Sequence, residues 1–223
     1  MDHFQRTFQE MAPVQAALVE RHAMLDRIRN GTFTRSNYAA YLTETFHLVT
    51  QTPHFLTAAA SQTRDNPWLR DWFIDLAESE RGHDKLCVHD LNKLGADPDK
   101  LLAGHPGMGA WSMVSQNHFL ASHLNPVGIL GFAAATENLG AALATGVAVH
   151  LETKCQFTRG ATSFLRVHGK DDQDHIEAVK QAYNRCAEDA RQRALMAAIW
   201  RLTLQEYGQL FSDVLDRGDA WLD

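Results

Sequence analysis

An all-α, single-domain protein is what this sequence predicts, on three observations. Helical periodicity dominates, with Phe8, Met11, Val14, Leu18, His22, Leu25 and Ile28 recurring at three- and four-residue steps, and strand-like alternation is hard to find anywhere. At 223 residues, with 45% hydrophobic and 22% charged content, the chain can bury one sizeable core and is short for two. No internal repeat, low-complexity segment or interdomain linker divides it.

The elements follow in order. A first helix is expected from about residue 3 to 29, bent or restarted at Pro13 and ended by Asn30-Gly31. The second starts at Thr34-Arg35-Ser36-Asn37, where Thr34 or Ser36 can cap, and kinks at Pro53. A third follows Asn66-Pro67, carries Glu80 and His83, and stops at Gly95-Ala96-Asp97-Pro98. After a loop come a helix around 110–122 and an apolar one opening at Asn125-Pro126 and running to about Val149. A helix near 158–168 and a long amphipathic one from about Ile176 to Leu215 close the bundle.

Composition narrows the function classes. A formal charge of −6 without a basic stripe argues against nucleic acid as a partner. Cys87, Cys155 and Cys186 form no C-x-x-C pattern, which argues against a disulfide framework or structural zinc and for a reducing compartment. The N-terminal residues show no basic-then-apolar pattern, so the expected location is the cytoplasm. The run 126–149 is long enough to span a bilayer, yet it is Ala- and Gly-rich with Glu137 and Asn138 at its centre, so a buried core helix and no membrane partner are expected.

The chemistry concentrates in three places. His168, Asp172 and His175 stand at i, i+4 and i+7, which stacks them on one helical face. Two imidazoles and a carboxylate suit iron, manganese or zinc. Glu80 and His83 repeat that logic at i, i+3, and Glu137 is the lone ionisable residue of its apolar run, costly to bury unless neutral, paired or bound to a cation. Each has an ordinary explanation alone: an exposed helix surface, a hydrogen-bonded buried acid, a solvated turn. Together they match the way helical bundles build di-metal sites, from Glu and Glu-x-x-His ligands on separate helices facing inward. Six protein ligands would saturate one ion, so two ions are expected. Gly169 among charged neighbours predicts a broken or disordered helix between about Leu165 and His175 when no metal is bound.

The order Glu80-x2-His83, Glu137, His168-x3-Asp172-x2-His175 resembles the haem-oxygenase-like di-iron oxidases and oxygenases over most of the chain, and Gly31-Thr32-Phe33-Thr34 followed by Tyr38, Tyr41 and Leu42 is similar to the start of their second helix. The resemblance implies a seven-helix bundle, shared with haem oxygenase, the TenA thiaminases and pyrroloquinoline quinone synthase. It makes Glu80, His83, Glu137, His168, Asp172 and His175 the ligands of two irons, with Glu137 near both. The irons would cycle between Fe2+ and Fe3+, with O2 as co-substrate and an unidentified reductant. The short Glu-x-x-His spacing is most similar to fatty-acid decarboxylases that form terminal alkenes, while other branches fragment amino acids or oxygenate amines.

The implied activity is therefore O2-dependent oxidation of a small aliphatic substrate, a fatty acid or amino acid, with no catalytic residue needed beyond the ligands. The N-oxygenating branch adds a further carboxylate from the preceding helix, and Glu44 or His47 could project similarly, with a place in the core or support of the ligands from behind as the ordinary alternative. Phe46, Phe55, Phe132, Ala133, Gly140 and Ala141 are candidates for a substrate pocket, with core packing as the ordinary alternative, and Arg159 or Arg166 for anchoring a substrate carboxylate. Three rivals remain: haem bound through His22, a TenA-like thiamine-degrading hydrolase using Cys87, and a non-enzymatic small-ligand-binding protein. A homodimer paired through an apolar helix face is the expected assembly.

Overall fold

The computed structural model describes residues 1–221, without the side chains of residues 170–174. Among the described residues all regular structure is helical. The helices are α1 (His3–Arg21), α2 (Ala23–Asn30), α3 (Arg35–Gln62), α4 (Pro67–Ser79), α5 (Asp84–Lys93), α6 (Pro98–Leu102), α7 (Met108–Ser122), α8 (Ile129–Thr153), α9 (Ser163–Cys186) and α10 (Ala190–Ala220), with 3-10 turns at Pro126–Gly128 and Arg159–Ala161. Ten helices thus stand where seven were expected, because several long ones are interrupted and a short one, α6, fills the loop after α5.

Each interruption has a local cause. The first helix breaks at His22 and not at Pro13, which lies inside α1. His22 adopts an extended backbone and its Nδ1 accepts the Met24 N–H at 3.2 Å, so this side chain caps α2. Thr34, not Ser36, caps α3: its hydroxyl accepts the Asn37 N–H while its own N–H donates to Asn37 Oδ1, both at 3.1 Å. From there α3 continues as one helix through Pro53. The third expected helix splits into α4 and α5 at residues 80–83, where Gly82 takes a φ of +93°, a left-handed conformation that disfavours other residues.

The expected break at Gly169 is absent, and α9 runs unbroken from Ser163 to Cys186. Gly169 serves packing instead: a Cβ there would lie 2.4 Å from Thr145 Oγ1 and 2.9 Å from the Thr145 backbone nitrogen, so α8 and α9 touch backbone to backbone at this point. The chain turns later, at residues 187–189, where Asp189 accepts the Arg191 and Gln192 N–H groups at 2.8 and 2.9 Å and starts α10.

Helix α8 is the spine, packed against α9 and α10. By length and composition Pro126–Thr153 is apolar enough to cross a membrane, but most of its apolar window is buried within the bundle. At one end Glu44 of α3, fully buried, pairs with Arg217 of α10 at 2.8 Å and accepts the Gly107 N–H at 2.7 Å, tying three segments together. Glu206 of α10 is a second buried acid; its Oε2 has no hydrogen-bond partner, and burial pushes its carboxyl up to about 7.

Two expectations follow. The folded pKa of Glu206 exceeds its ordinary value of 4.5, so its neutral form is compatible with the fold and ionisation opposes it. Stability from this group is fullest below pH about 4.5, falls as pH rises towards 7 and stays reduced above, by about 3 kcal/mol. Denaturant titrations should find Glu206→Gln more stable than the parent at pH 8 and indistinguishable at pH 4; equal stability at pH 8 would remove the penalty. Gly169→Ala should cost about 1–3 kcal/mol by forcing α8 and α9 apart, read as a lowered Tm; an unchanged Tm would show that the contact yields freely.

Candidate metal centre

Three segments bring the centre together. Glu80 closes α4, its N–H donating to the Leu76 carbonyl at 3.0 Å, and His83 opens α5. The i, i+3 pair expected on one helix is realised on the turn between two, and His83 Nδ1 lies 3.0 Å from Glu80 Oε2. Both side chains are close to fully enclosed, 12% and 11% exposed. Glu137 enters from the middle of α8, buried, and His168 and His175 from α9. His175 Nδ1 stands 3.6 Å from Glu137 Oε2, and the His83 and His168 rings meet edge to face with centroids 4.5 Å apart.

The donors form two overlapping groups. Glu80, His83 and His168 each offer an atom within 4.8 Å of the others, as do Glu80, Glu137 and His175. Glu80 is common to both, whereas the resemblance implied Glu137 for that place. The sixth residue, Asp172, belongs to 170–174, whose side chains are outside the described residues.

Electrostatics favours a cation here. Burial pushes the Glu80 carboxyl up, but the hydrogen bond to His83 and the nearby imidazoles of His83, His168 and His175 together outweigh it, and the group is held below its ordinary range. The donor set is therefore an anionic carboxylate, a second buried carboxylate and imidazole nitrogens, which fits iron or another first-row divalent ion.

His168 is oriented from behind. Its Nδ1 is 2.9 Å from the Phe164 carbonyl oxygen, which can only accept, so the proton sits on Nδ1 and the orientation of the ring is fixed. The Phe164 ring stacks on the imidazole at 4.0 Å, and the Phe164 N–H donates to Asp90 Oδ2 at 2.9 Å. Asp90, fully buried on α5, was missed in the sequence. It stands with Cys87 and Leu91 on a buried face, and the helical spacing of these three was the signal that could have found it, although the charged residues around it make that signal weaker than the one at Glu137. Burial raises the Asp90 carboxyl despite hydrogen bonds from Phe164 and Ser163. Helix α5 thus supplies His83 directly and steers His168 through Asp90.

A cavity of about 130 Å³ adjoins the centre, with Glu80, Glu137 and His168 in its wall. The remaining wall is largely aliphatic and aromatic, from α2, α3, α8, α9 and α10, and no Lys or Arg lines it among the described residues. Of the expected pocket residues, Phe132, Ala133 and Gly140 line this space and Phe46, Phe55 and Ala141 do not. Phe55 lies behind the wall, edge-on to Phe132; Phe46 packs edge-on to His47; Ala141 falls on the neighbouring face of α8.

The remaining candidates lie elsewhere. Glu44 is committed to Arg217 and Gly107, and His47 is lowered first by burial and then by the charges of Arg217 and His105, which places both in the cluster at the end of α10. Arg166 is bound to Glu152, Nε to Oε1 at 2.8 Å, and Arg159 is exposed. His22 spends both ring nitrogens: Nδ1 accepts from Met24, so Nε2 carries the proton and faces the Gly208 carbonyl at 3.1 Å, leaving no lone pair for a haem iron. The Cys87 thiol is fully buried and held well above its ordinary pKa by burial and by Asp90 and Asp84, the opposite of a ready nucleophile.

Comparison with known proteins agrees with this arrangement at the level of fold and family. No curated protein matches the sequence. A domain of unknown function with a haem-oxygenase-like fold from Shewanella denitrificans superposes with a TM-score of 0.90 at 19% identity, covering 98% of this chain and 94% of that one. A TenA homologue from Pseudomonas syringae gives 0.77 at 15% identity, covering 95% and 92%. The haem complex of haem oxygenase-1 from Synechocystis gives 0.78 at 10% identity, covering 100% and 96%. At these identities the likeness establishes a haem-oxygenase-like fold. The family described as iron-containing redox enzymes matches residues 39–207, a span that includes α8, α9 and the Glu80–His83 turn, and the chain belongs to that family.

Proposed function

We propose that this chain is a non-haem di-iron enzyme that uses dioxygen to oxidise a small aliphatic substrate. The observation that carries this reading is the pair of donor groups sharing Glu80 at the wall of an apolar cavity. Iron bound by these groups would supply the electrons that reduce dioxygen.

The residues divide the remaining work. Glu80, Glu137, His83, His168 and His175, with Asp172 from the resemblance, hold two ions; Glu80 is held ionised by its imidazole neighbours and is the natural bridge between the groups. His168 keeps its proton on Nδ1, fixed by the Phe164 carbonyl, which sets the tautomer a metal ligand needs. The aliphatic wall excludes water and accepts a hydrocarbon portion of the substrate. With no Lys or Arg in that wall among the described residues, an acidic head group would find its partner at the metal end, which would leave the chain running along Leu48, Thr52 and Phe132. A fatty acid satisfies this geometry more simply than an amino acid, whose ammonium group would be placed beside the metals or in the aliphatic wall. A TenA-like hydrolysis would need a thiolate, and the burial of Cys87 opposes one.

Anaerobic titration of metal-free protein with ferrous iron should saturate at about two ions per chain, and oxygenated buffer should then be consumed; saturation at one ion or none sinks the di-iron reading. His168→Ala and His175→Ala should each lower the bound iron and abolish oxygen consumption, and full retention in either would remove that residue from the set. Asp90→Asn preserves the shape of the cap on α9 while weakening its pull on Phe164, so iron should bind about tenfold more weakly with the Tm of metal-free protein nearly unchanged. Unaltered iron affinity would leave Asp90 a purely structural cap.

A further inference from the structure

No Asp, Glu, Lys or Arg occurs from Leu101 to Thr136, a stretch that contains the whole of α7, nor from Thr45 to Thr63, the greater part of α3. In a chain with 22% charged residues this is unusual, and the two helices pack side by side. Burial explains only their inner faces. On the outer face of α7 and the loop after it, Met108, Trp111, Phe119 and Leu124 are 65%, 54%, 54% and 60% exposed. Beside them on α3, His54, Thr57 and Ser61 are exposed and equally without formal charge at neutral pH. A helix surface that faced only water would carry charged residues there, and a tryptophan, a phenylalanine, a methionine and a leucine held in water mark a surface that something covers.

From this we infer that the outer face of α7, flanked by the second half of α3, is the interface of a homodimer, with a second copy of this chain as its occupant. The charge distribution selects that partner. The molecule carries −6 overall, so two copies repel wherever their acidic surfaces meet, and the neutral face lets them approach without like charges opposed. A basic or acidic partner would find no complementary group to recognise on it. An anionic lipid surface would be repelled by the net charge and would find no Lys or Arg on α7 for its headgroups.

Shape agrees with self-association. Along α7 the large Met108, Trp111 and Phe119 alternate with the small Ser112, Ser115 and Ser122, so that two α7 helices related by a twofold axis can set the rings of one against the gaps of the other. An isologous contact of this kind uses one patch twice, which is why a single uncharged, aromatic-bearing helix suffices. The interface is independent of the metal centre, which lies on the α4–α5 turn, α8 and α9.

Sedimentation velocity on the full-length chain tests this. The parent protein is expected at twice the 25.0 kDa chain mass, and Trp111→Glu and Phe119→Glu are each expected at 25.0 kDa with unchanged helical circular dichroism. Ile74→Glu, which removes an exposed apolar side chain on α4, is expected to remain a dimer. A parent protein that stays monomeric across the micromolar range overturns the proposal, and so does a dimer that survives both α7 substitutions. Flotation with neutral phosphatidylcholine vesicles separates the lipid alternative: a monomeric parent that floats with them while Trp111→Glu does not would assign the face to a membrane and equally overturn the dimer.

Discussion

Two carboxylates, Glu80 and Glu137, are withdrawn from water near the middle of this bundle, and the rest of the architecture is arranged around what that costs. An isolated buried carboxylate is penalised by several kcal/mol, and it persists only with a partner of opposite charge or good hydrogen-bonding geometry. Here each has an imidazole within reach, His83 for Glu80 and His175 for Glu137. That requirement fixes the relative placement of the α4–α5 turn, α8 and α9, because the side chains are short and reach each other only if the helices stand at close range. The backbone contact between Gly169 and Thr145 is the packing side of the same constraint.

The centre is supported more than its donor atoms alone suggest. Asp90 holds the start of α9 through the Phe164 N–H, and the carbonyl of the same residue holds His168. One residue, Phe164, thus joins a buried acid on α5 to an imidazole on α9 through its N–H and its carbonyl, while the N-terminus of α5 delivers His83. A different buried acid, Glu44, ties α3 to α10 and to the segment before α7 through Arg217 and Gly107. The cavity beside the centre has a largely aliphatic and aromatic wall, with Glu80, Glu137 and His168 in it.

The exterior repeats the logic in reverse. Charge is absent from the surface of α7, where the fold has no need of apolar side chains, and Met108, Trp111, Phe119 and Leu124 stand in the open there and on the loop that follows. Inside, the buried acids Glu44, Asp90 and Glu137 have partners while Glu206 Oε2 has none; outside, large apolar side chains stand exposed along α7. Both departures from the ordinary distribution are the observations on which the proposed metal centre and the proposed self-association rest.

Much was determined by the sequence alone. Periodicity established the helical class, Thr34, Asn66-Pro67 and Asn125-Pro126 marked true helix starts, and the spacing of Glu80, His83, Glu137, His168 and His175 identified five side chains that the fold brings together. These features depend on residues near in sequence or on residue type, which a linear reading captures. Only the tertiary structure decided the rest. The second contact of the His22 ring is a backbone carbonyl 186 residues away, and the meaning of Gly169 depends on Thr145 across a helix interface. Which carboxylate serves both donor groups is set by how far Glu80 reaches from a turn that looked like a helix, and the cavity took Phe132 but not Phe55 because their rings lie on opposite sides of its wall. Such outcomes follow from distances between segments remote in the chain, and a local sequence pattern does not contain those distances.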